Sequence, residues 1–524
     1  MIDSDFANYA STVCPQAKSG TPLEHSGLHT WLKEFYGTED FRTQMAEWLS
    51  GAVQIPTESY DGMGAINEDI RWEVFGRLHE YLRNSYPLIY KTLNLTTVNT
   101  YGLVYHWQGS DQSLKPLLLT AHQDVVPVDP STIEQWVHGP YSGYFDGTYV
   151  WGRGSCDDKS GLISIMSTLE ILLDKGFQPK RTIVLAFGFD EEASGRFGAG
   201  EISQYLLEVY GQNGFAFLVD EGGSAMIAYG AAILSPHIAE KGYLDVGIEG
   251  IGIISKLLVA LEDKPLQPHL LRNQTVYQTI QCLVHAPEIP TSLKHDIIKS
   301  QVSDKALARV QETILAEFPD LKYLMQTTQA IDLISGGVKV NALPERVTAV
   351  VNHRIDVASS VDAVKERMFS VLKPVSDEYN LSFNHFGDLF SSESSDSGSV
   401  SVFDAFQSAL EPAPVSPAGH AKPWSLLSST IRAVFEDVVG NEVSLRPDSA
   451  LQIVVGPGQT LGNTQYYWKL TPHIFRFSPF FRENAVYPGG GIHTVNEAIS
   501  IHAMTDQVRF FTVLILNTDE SRDV

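Results

Sequence analysis

Several short stretches of this chain carry residues able to bind metal ions and use them. His122-Gln-Asp124 follows the apolar run PLLLTA. An i, i+2 spacing in an extended segment puts both side chains on one side, where the Asp124 carboxylate can fix the tautomer of a metal-bound His122 imidazole. Taken alone, the pair is better read as a structural histidine. The segment Trp151-Gly-Arg-Gly-Ser-Cys-Asp157-Asp158-Lys159-Ser-Gly161 then leads into a helix that begins near Leu162. Gly-rich turns at helix starts can hold phosphate, but two acids stand where a phosphate loop carries Lys-Ser. A carboxylate at this point can instead bridge two cations about 3.5–4 Å apart.

The run TIVLAFGF ends in Asp190-Glu191-Glu192, and the run FAFLV ends in Asp220-Glu221. Any one of these acids could be a solvated loop carboxylate. Gathered at the ends of neighbouring buried strands, however, they repel one another unless cations sit among them. Gly489-Gly-Gly-Ile-His493 adds a second imidazole on a loop flexible enough to approach a metal closely. Two imidazoles and three carboxylates suit zinc.

The elements that must position these groups are readable between Pro116 and Val219. Short apolar runs alternate there with amphipathic stretches such as GLISIMSTLEILLDKG and EISQYLLEVYG. That texture predicts an α/β fold with parallel strands buried on both faces, and a site beyond their carboxyl ends. From about Gly242 it changes to strand-like YLDVGIE, helix-like GIISKLLVALED, a long helical stretch through Thr328, VKVNALPERVTAVVNHRIDV and a charged helix from Ser360. The predicted organisation is a first catalytic part over 1–241, an inserted smaller α+β domain over 242–388, a linker over 389–423 and a second catalytic part over 424–524. Residues 391 to 401, SSESSDSGSVS, read as a solvated loop. No internal repeat is visible.

The 524 residues, 43% of them hydrophobic, are enough for at least two domains with a large core. Lys and Arg total 37 against 62 Asp and Glu, and the net charge of -25 argues against a nucleic-acid partner. The three cysteines, Cys14, Cys156 and Cys282, lie far apart and indicate neither a disulfide scaffold nor a thiolate zinc site. The first fifty residues show no signal peptide, and no run is long enough to anchor in a bilayer. Asn94-Leu-Thr, Asn273-Gln-Thr and Asn380-Leu-Ser match the N-glycosylation sequon, a number that chance supplies in a chain of this length.

Taken together, TAHQDVVPV, GRGSCDDKSG, DEEASG, LVDEGG and GGGIHTVNEAIS resemble the carboxypeptidase S group of the aminoacylase and glutamate carboxypeptidase superfamily. The resemblance runs from TESYDGMG near Thr57 to the C-terminal helix. It implies a zinc-exopeptidase-like mixed sheet flanked by helices, with the smaller domain a ferredoxin-like lid and dimerisation unit. It also implies two zinc ions per chain: His122 and His493 each bind one, Asp157 bridges both, Glu192 binds one, and either Asp220 or Glu221 supplies the last ligand. Asp124 corresponds to the residue that orients the first His, and Glu191 to the general base. Asn341 and Arg354 fall where the family contacts substrate from the smaller domain. The implied substrate is a short peptide with a free C-terminal carboxylate, often of Gly-Xaa type, or an N-acyl amino acid. A homodimer through the smaller domain and a vacuolar address are implied too, although a chain without anchor also fits the cytoplasm.

Two departures qualify the resemblance. Relatives carry a Gly-Gly-His-Ser-Ser core before the helix GIISKLLVALED, where this chain runs straight through Glu249-Gly-Ile-Gly; the missing His is expected to stabilise the oxyanion. In Gly462-Asn-Thr-Gln-Tyr-Tyr-Trp468 the basic residue expected to clamp the substrate carboxylate is absent, and Gln465 cannot replace a bidentate Arg. An impaired paralogue or an imperfect gene model is therefore the rival expectation to an active hydrolase.

Overall fold

In the computed structural model, residues 12–250, 253–342, 344–390, 398–443, 451–460, 464–479 and 485–524 are described. The apolar runs become the parallel strands Leu117–His122, Ile183–Gly188 and Phe217–Asp220, with Leu117–His122 in the middle. They form the centre of an eight-stranded mixed sheet. Its order is Asn94–Val98, Gly102–Trp107, Ile183–Gly188, Leu117–His122, Phe217–Asp220, Ile474–Arg476, His237–Glu240 and Gly458–Thr460.

Alternate side chains of these strands feed two cores. Leu117, Leu119, Leu185, Phe187 and Val219 face the helices Glu39–Val53, Lys159–Asp174 and Ile501–Glu520. Leu118, Val184, Ala186 and Leu218 face Ile202 and Leu206 of the helix Glu201–Tyr210. Helix Lys159–Asp174 is buried on every side from Lys159 to Leu172, its polar side chains Ser160, Ser164, Thr168 and Glu170 held by hydrogen bonds. Because the three central strands run the same way, His122, Gly188 and Asp220 all emerge at one edge of the sheet, and the loops beyond them share one space.

Gly242–Gly250 is an inner strand of a second, six-stranded sheet, ordered Thr328–Gly336, Val347–Ile355, Gly242–Gly250, Ser399–Asp404, Ser382–His385 and Asp388–Leu389. Helices Ile254–Glu262 and Val361–Glu378 pack on it through Leu257, Leu261, Val364, Met368 and Leu372. Two features differ from expectation. The stretch 389–423, expected as a linker, supplies the strand Ser399–Asp404, which pairs antiparallel to Gly242–Gly250 and parallel to Ser382–His385. Val400 and Val402 are buried in it while Ser399 is exposed; serines disguised the alternation that makes it a strand. Of the Ser-rich stretch, 391–397 lie outside the described residues.

The second difference concerns the helices Thr275–Cys282, Thr291–Ser300 and Asp304–Glu317, expected within the inserted domain. They pack instead on a separate three-stranded sheet of Ser224–Ala228, Ala231–Ser235 and Gln452–Val455. Val276, Ile280, Ile297, Val310 and Ile314 share that core with Ile233 and Val454. The apolar faces of these helices, not their place in the chain, decide which sheet they cover. The cysteines differ as well: Cys14 and Cys282 form a disulfide across 268 positions, and Cys156 is free and buried. Among the described residues no helix is long and apolar enough to cross a membrane.

Candidate metal centre

His122 closes its strand with both ring nitrogens engaged. Nδ1 lies 3.2 Å from Asp124 Oδ1 and 3.0 Å from the Asp124 carbonyl oxygen, so Nε2 faces the open edge of the sheet. There it meets Asp157 Oδ1 at 3.0 Å and Glu221 Oε2 at 3.5 Å. The other Asp157 oxygen, Oδ2, lies 3.1 Å from His493 Nε2, which is also 3.1 Å from Glu192 Oε1. Asp157 thus presents one oxygen to each imidazole. His493 has φ of 62° and a half-exposed side chain, so the second imidazole hangs from the solvent side of the site.

Fully buried Asp124 does more than orient His122. Its Oδ1 accepts from the Glu191 backbone N–H at 3.0 Å, and its Oδ2 accepts from the Glu192 N–H at 3.0 Å and from Ser59 Oγ at 2.6 Å. The Glu191-Glu192 turn is therefore nailed to the residue that sets the first imidazole. Ligand atoms of His122, Glu191 and Glu221 lie within 4.8 Å of one another, as do those of His122, Asp157 and Glu192. Of the acid pair, Glu221 faces His122, whereas Asp220 Oδ1 accepts from Thr120 Oγ1 at 2.7 Å.

Three supporting residues escaped the sequence reading. Glu497, four positions after His493 and fully buried, accepts at Oε1 from the N–H groups of Cys156 at 2.8 Å and Asp157 at 3.2 Å. Its Oε2 pairs with Arg153 Nη1 at 2.6 Å. Lys159 Nζ donates to the carbonyls of Ala52 and Ile55, at 3.0 and 2.6 Å, tying the helix Glu39–Val53 to the Asp157 loop. Arg476 donates from Nε to the Glu221 carbonyl at 2.9 Å and from Nη2 to Glu221 Oε1 at 3.0 Å. Its Nη1 meets Glu240 Oε1 at 3.1 Å. Gly222 makes this approach possible: its φ is 107°, and a Cβ there would stand 3.2 Å from the Arg476 side chain. The only signal for Glu497 in sequence was its nearness to a candidate ligand; Arg476 and Lys159 gave none.

Glu497→Gln keeps an acceptor for the two loop N–H groups but removes the charge facing Arg153. We expect it to cost about 1–3 kcal/mol of stability, read as a lower denaturant midpoint, with little loss of bound metal.

The electrostatics fit cations. Counting protein charges alone, burial and then Asp157 push the Glu221 carboxyl up to about 7. Burial also pushes Glu191 well up, with Glu221 and Glu192 adding to it against His122. Acids held this close, with imidazole nitrogens at metal-ligand spacing, form a donor set of the kind zinc takes.

The two expected substrate contacts are not brought together. Arg354 lies in Val347–Ile355 opposite Tyr243, with its guanidinium over that ring at 4.6 Å. Asn341 is exposed in the turn between Thr328–Gly336 and Val347–Ile355, beyond the far end of the same strand. From Val347 to Arg354 alone is about 23 Å at strand rise. Of the two departures from the family pattern, 251–252 and 461–463 lie outside the described residues, while Gln465 begins a short 3-10 turn, Gln465–Tyr467.

A carboxylate bridging two imidazoles, with another acid beside it free to take a proton, is the layout of a metal-assisted hydrolase. Residues 118–517 match peptidase family M20/M25/M40, and the chain belongs to that family. Carboxypeptidase S of Saccharomyces cerevisiae is 35% identical over 528 residues, covering 97% of this chain and 89% of that protein. An N-fatty-acyl-amino acid synthase/hydrolase of Mus musculus is 29% identical over 543 residues, covering 99% and 95%. The structure of human carnosine dipeptidase 1 superposes with a TM-score of 0.60 at 14% identity over 96% of this chain and all of that one, a likeness of fold.

Proposed function

We propose that the chain is a zinc-dependent carboxypeptidase that hydrolyses the last peptide bond of short peptides of Gly-Xaa type, or N-acyl amino acids. His122, Asp157 and Glu221 would hold one zinc, and His493, Asp157 and Glu192 the other. The observation that carries this reading is Asp157, with one carboxylate oxygen facing each imidazole. When bound, the cations supply an acidified water and a polarised scissile carbonyl. Glu191 takes the proton from the attacking water and hands it to the nitrogen of the leaving amino acid as the C–N bond breaks. Asp124 keeps Glu191, His122 of the first site and Glu192 of the second in place throughout. Retention of every donor and of the base favours this reading over an impaired paralogue.

The test is release of free leucine from an N-blocked Gly-Leu dipeptide. Turnover should vanish with a chelator and return with added zinc. Turnover indifferent to the chelator would end the proposal.

The homodimer belongs to the same proposal. Among the described residues the strand Thr328–Gly336 pairs on one side only, at an edge of the smaller sheet, and its Leu333 and Ile334 are exposed. An apolar unpaired edge invites a second copy. Ile334→Lys is expected to shift the protein from dimer to monomer in sedimentation velocity; an unchanged sedimentation coefficient would move the interface elsewhere. A vacuolar address is likewise part of this reading.

A further inference from the structure

We infer that the chain is an N-linked glycoprotein modified at Asn94, Asn273 and Asn380, having matured in an oxidising compartment. The observation that carries this is a coincidence between the sequons and the disulfide.

All three sequon asparagines are exposed. Exposure alone says little, since asparagine is mostly a surface residue. Their positions say more. Asn94 opens the strand Asn94–Val98, at an outer edge of the eight-stranded sheet. That strand runs antiparallel to Gly102–Trp107, which runs antiparallel to Ile183–Gly188, so Asn94 lies at the end of the sheet opposite the Glu191 turn. Asn380, with φ of 51°, occupies the turn after the helix Val361–Glu378. It stands just before Ser382, which pairs with Ser399 next to the Gly250 end of its sheet, away from Gly242 where the chain leaves the main sheet. Asn273 lies in the loop before the helix Thr275–Cys282. A branched sugar at Asn94 therefore starts from the end of the sheet opposite the metal centre.

The second, independent observation is the Cys14–Cys282 disulfide, which ties the N-terminal segment to that same helix. Disulfides between distant positions persist in secretory and lumenal compartments and are rare where thiols are kept reduced. Those compartments are also where asparagine is glycosylated. In the transfer, the side-chain amide nitrogen forms a bond to the anomeric carbon of a lipid-pyrophosphate-linked oligosaccharide. The bond from that carbon to the pyrophosphate breaks, the nitrogen loses one proton, and the lipid pyrophosphate leaves.

The experiment is peptide mass spectrometry on the full chain purified from its own cells, before and after a peptide-N-glycosidase. The expected result is conversion of Asn94, Asn273 and Asn380 to aspartate by the enzyme, with Cys14 and Cys282 joined in the unreduced digest. Asn94→Gln and Asn273→Gln should each remove one step of the gel-mobility shift. At the left-handed Asn380 a glutamine is disfavoured, so Ser382→Ala, which leaves the turn intact, should remove the third. Recovery of all three peptides with unmodified asparagine overturns the inference, as does finding both cysteines as free thiols. Neither readout depends on peptidase activity, so the glycoprotein and the carboxypeptidase readings fail separately.

Discussion

Replacing Glu191 by Gln is expected to lower kcat for the blocked Gly-Leu substrate by about 10²–10⁴-fold, with KM little changed and metal content as in the unaltered chain. The expectation comes from how two adjacent acids point in two directions. Glu192 turns to His493 and shares it with Asp157. Glu191 turns the other way, to within 4.8 Å of the His122 and Glu221 ligand atoms, its backbone held by Asp124. Gln has the shape of Glu and cannot take a proton. Metal content measured beside the kinetics separates the roles: loss of zinc in the variant would make Glu191 a ligand, and near-normal turnover would pass the proton transfer to another group.

Arg476→Met should have the largest effect outside the ligands and the base. Burial works against a charged guanidinium, but Glu240, Asp220 and Glu221 more than offset it and keep Arg476 protonated. Removing it leaves Glu221 and Glu240 buried without their partner, at a cost of about 3–5 kcal/mol. Glu221 also loses the two donors that aim it, so zinc affinity should fall about 10–100-fold. Arg476→Lys retains the charge but not the fork, and should recover part of both. Thermal unfolding and a zinc titration check these outcomes. A lower Tm with wild-type zinc affinity would reduce Arg476 to a structural residue.

The parts of the fold that could be read in sequence are those written locally. Unbroken apolar runs ending in His122, Gly188 and Asp220 announced buried parallel strands, and with them the edge where their loops converge. What could not be read depends on pairings across long separations. Arg476 meets Glu221 and Glu240 over distances of 255 and 236 positions, and Cys14 meets Cys282 over 268. A single arginine in HIFRFS or cysteine in STVCPQ carries no mark of its partner. The strand Ser399–Asp404 was hidden differently, because its period of two was present in Val400 and Val402 but diluted by serine. For the acid pair, geometry turns Glu221 to the imidazole and Asp220 to Thr120, a choice that two neighbouring carboxylates at a strand end leave open.

The four contacts to the Asp124 carboxylate also have a consequence for manufacturing tolerance, in the engineer's sense. Parts located one from the next accumulate error along the series, whereas parts gauged from one datum do not. His122, Glu191 and Glu192 are all gauged from the two oxygens of a single buried side chain, itself steadied by Ser59. A displacement of Asp124 acts at once on the His122 ring and on the backbone N–H groups of Glu191 and Glu192. Their mutual spacing is preserved even when the absolute position of the site is not.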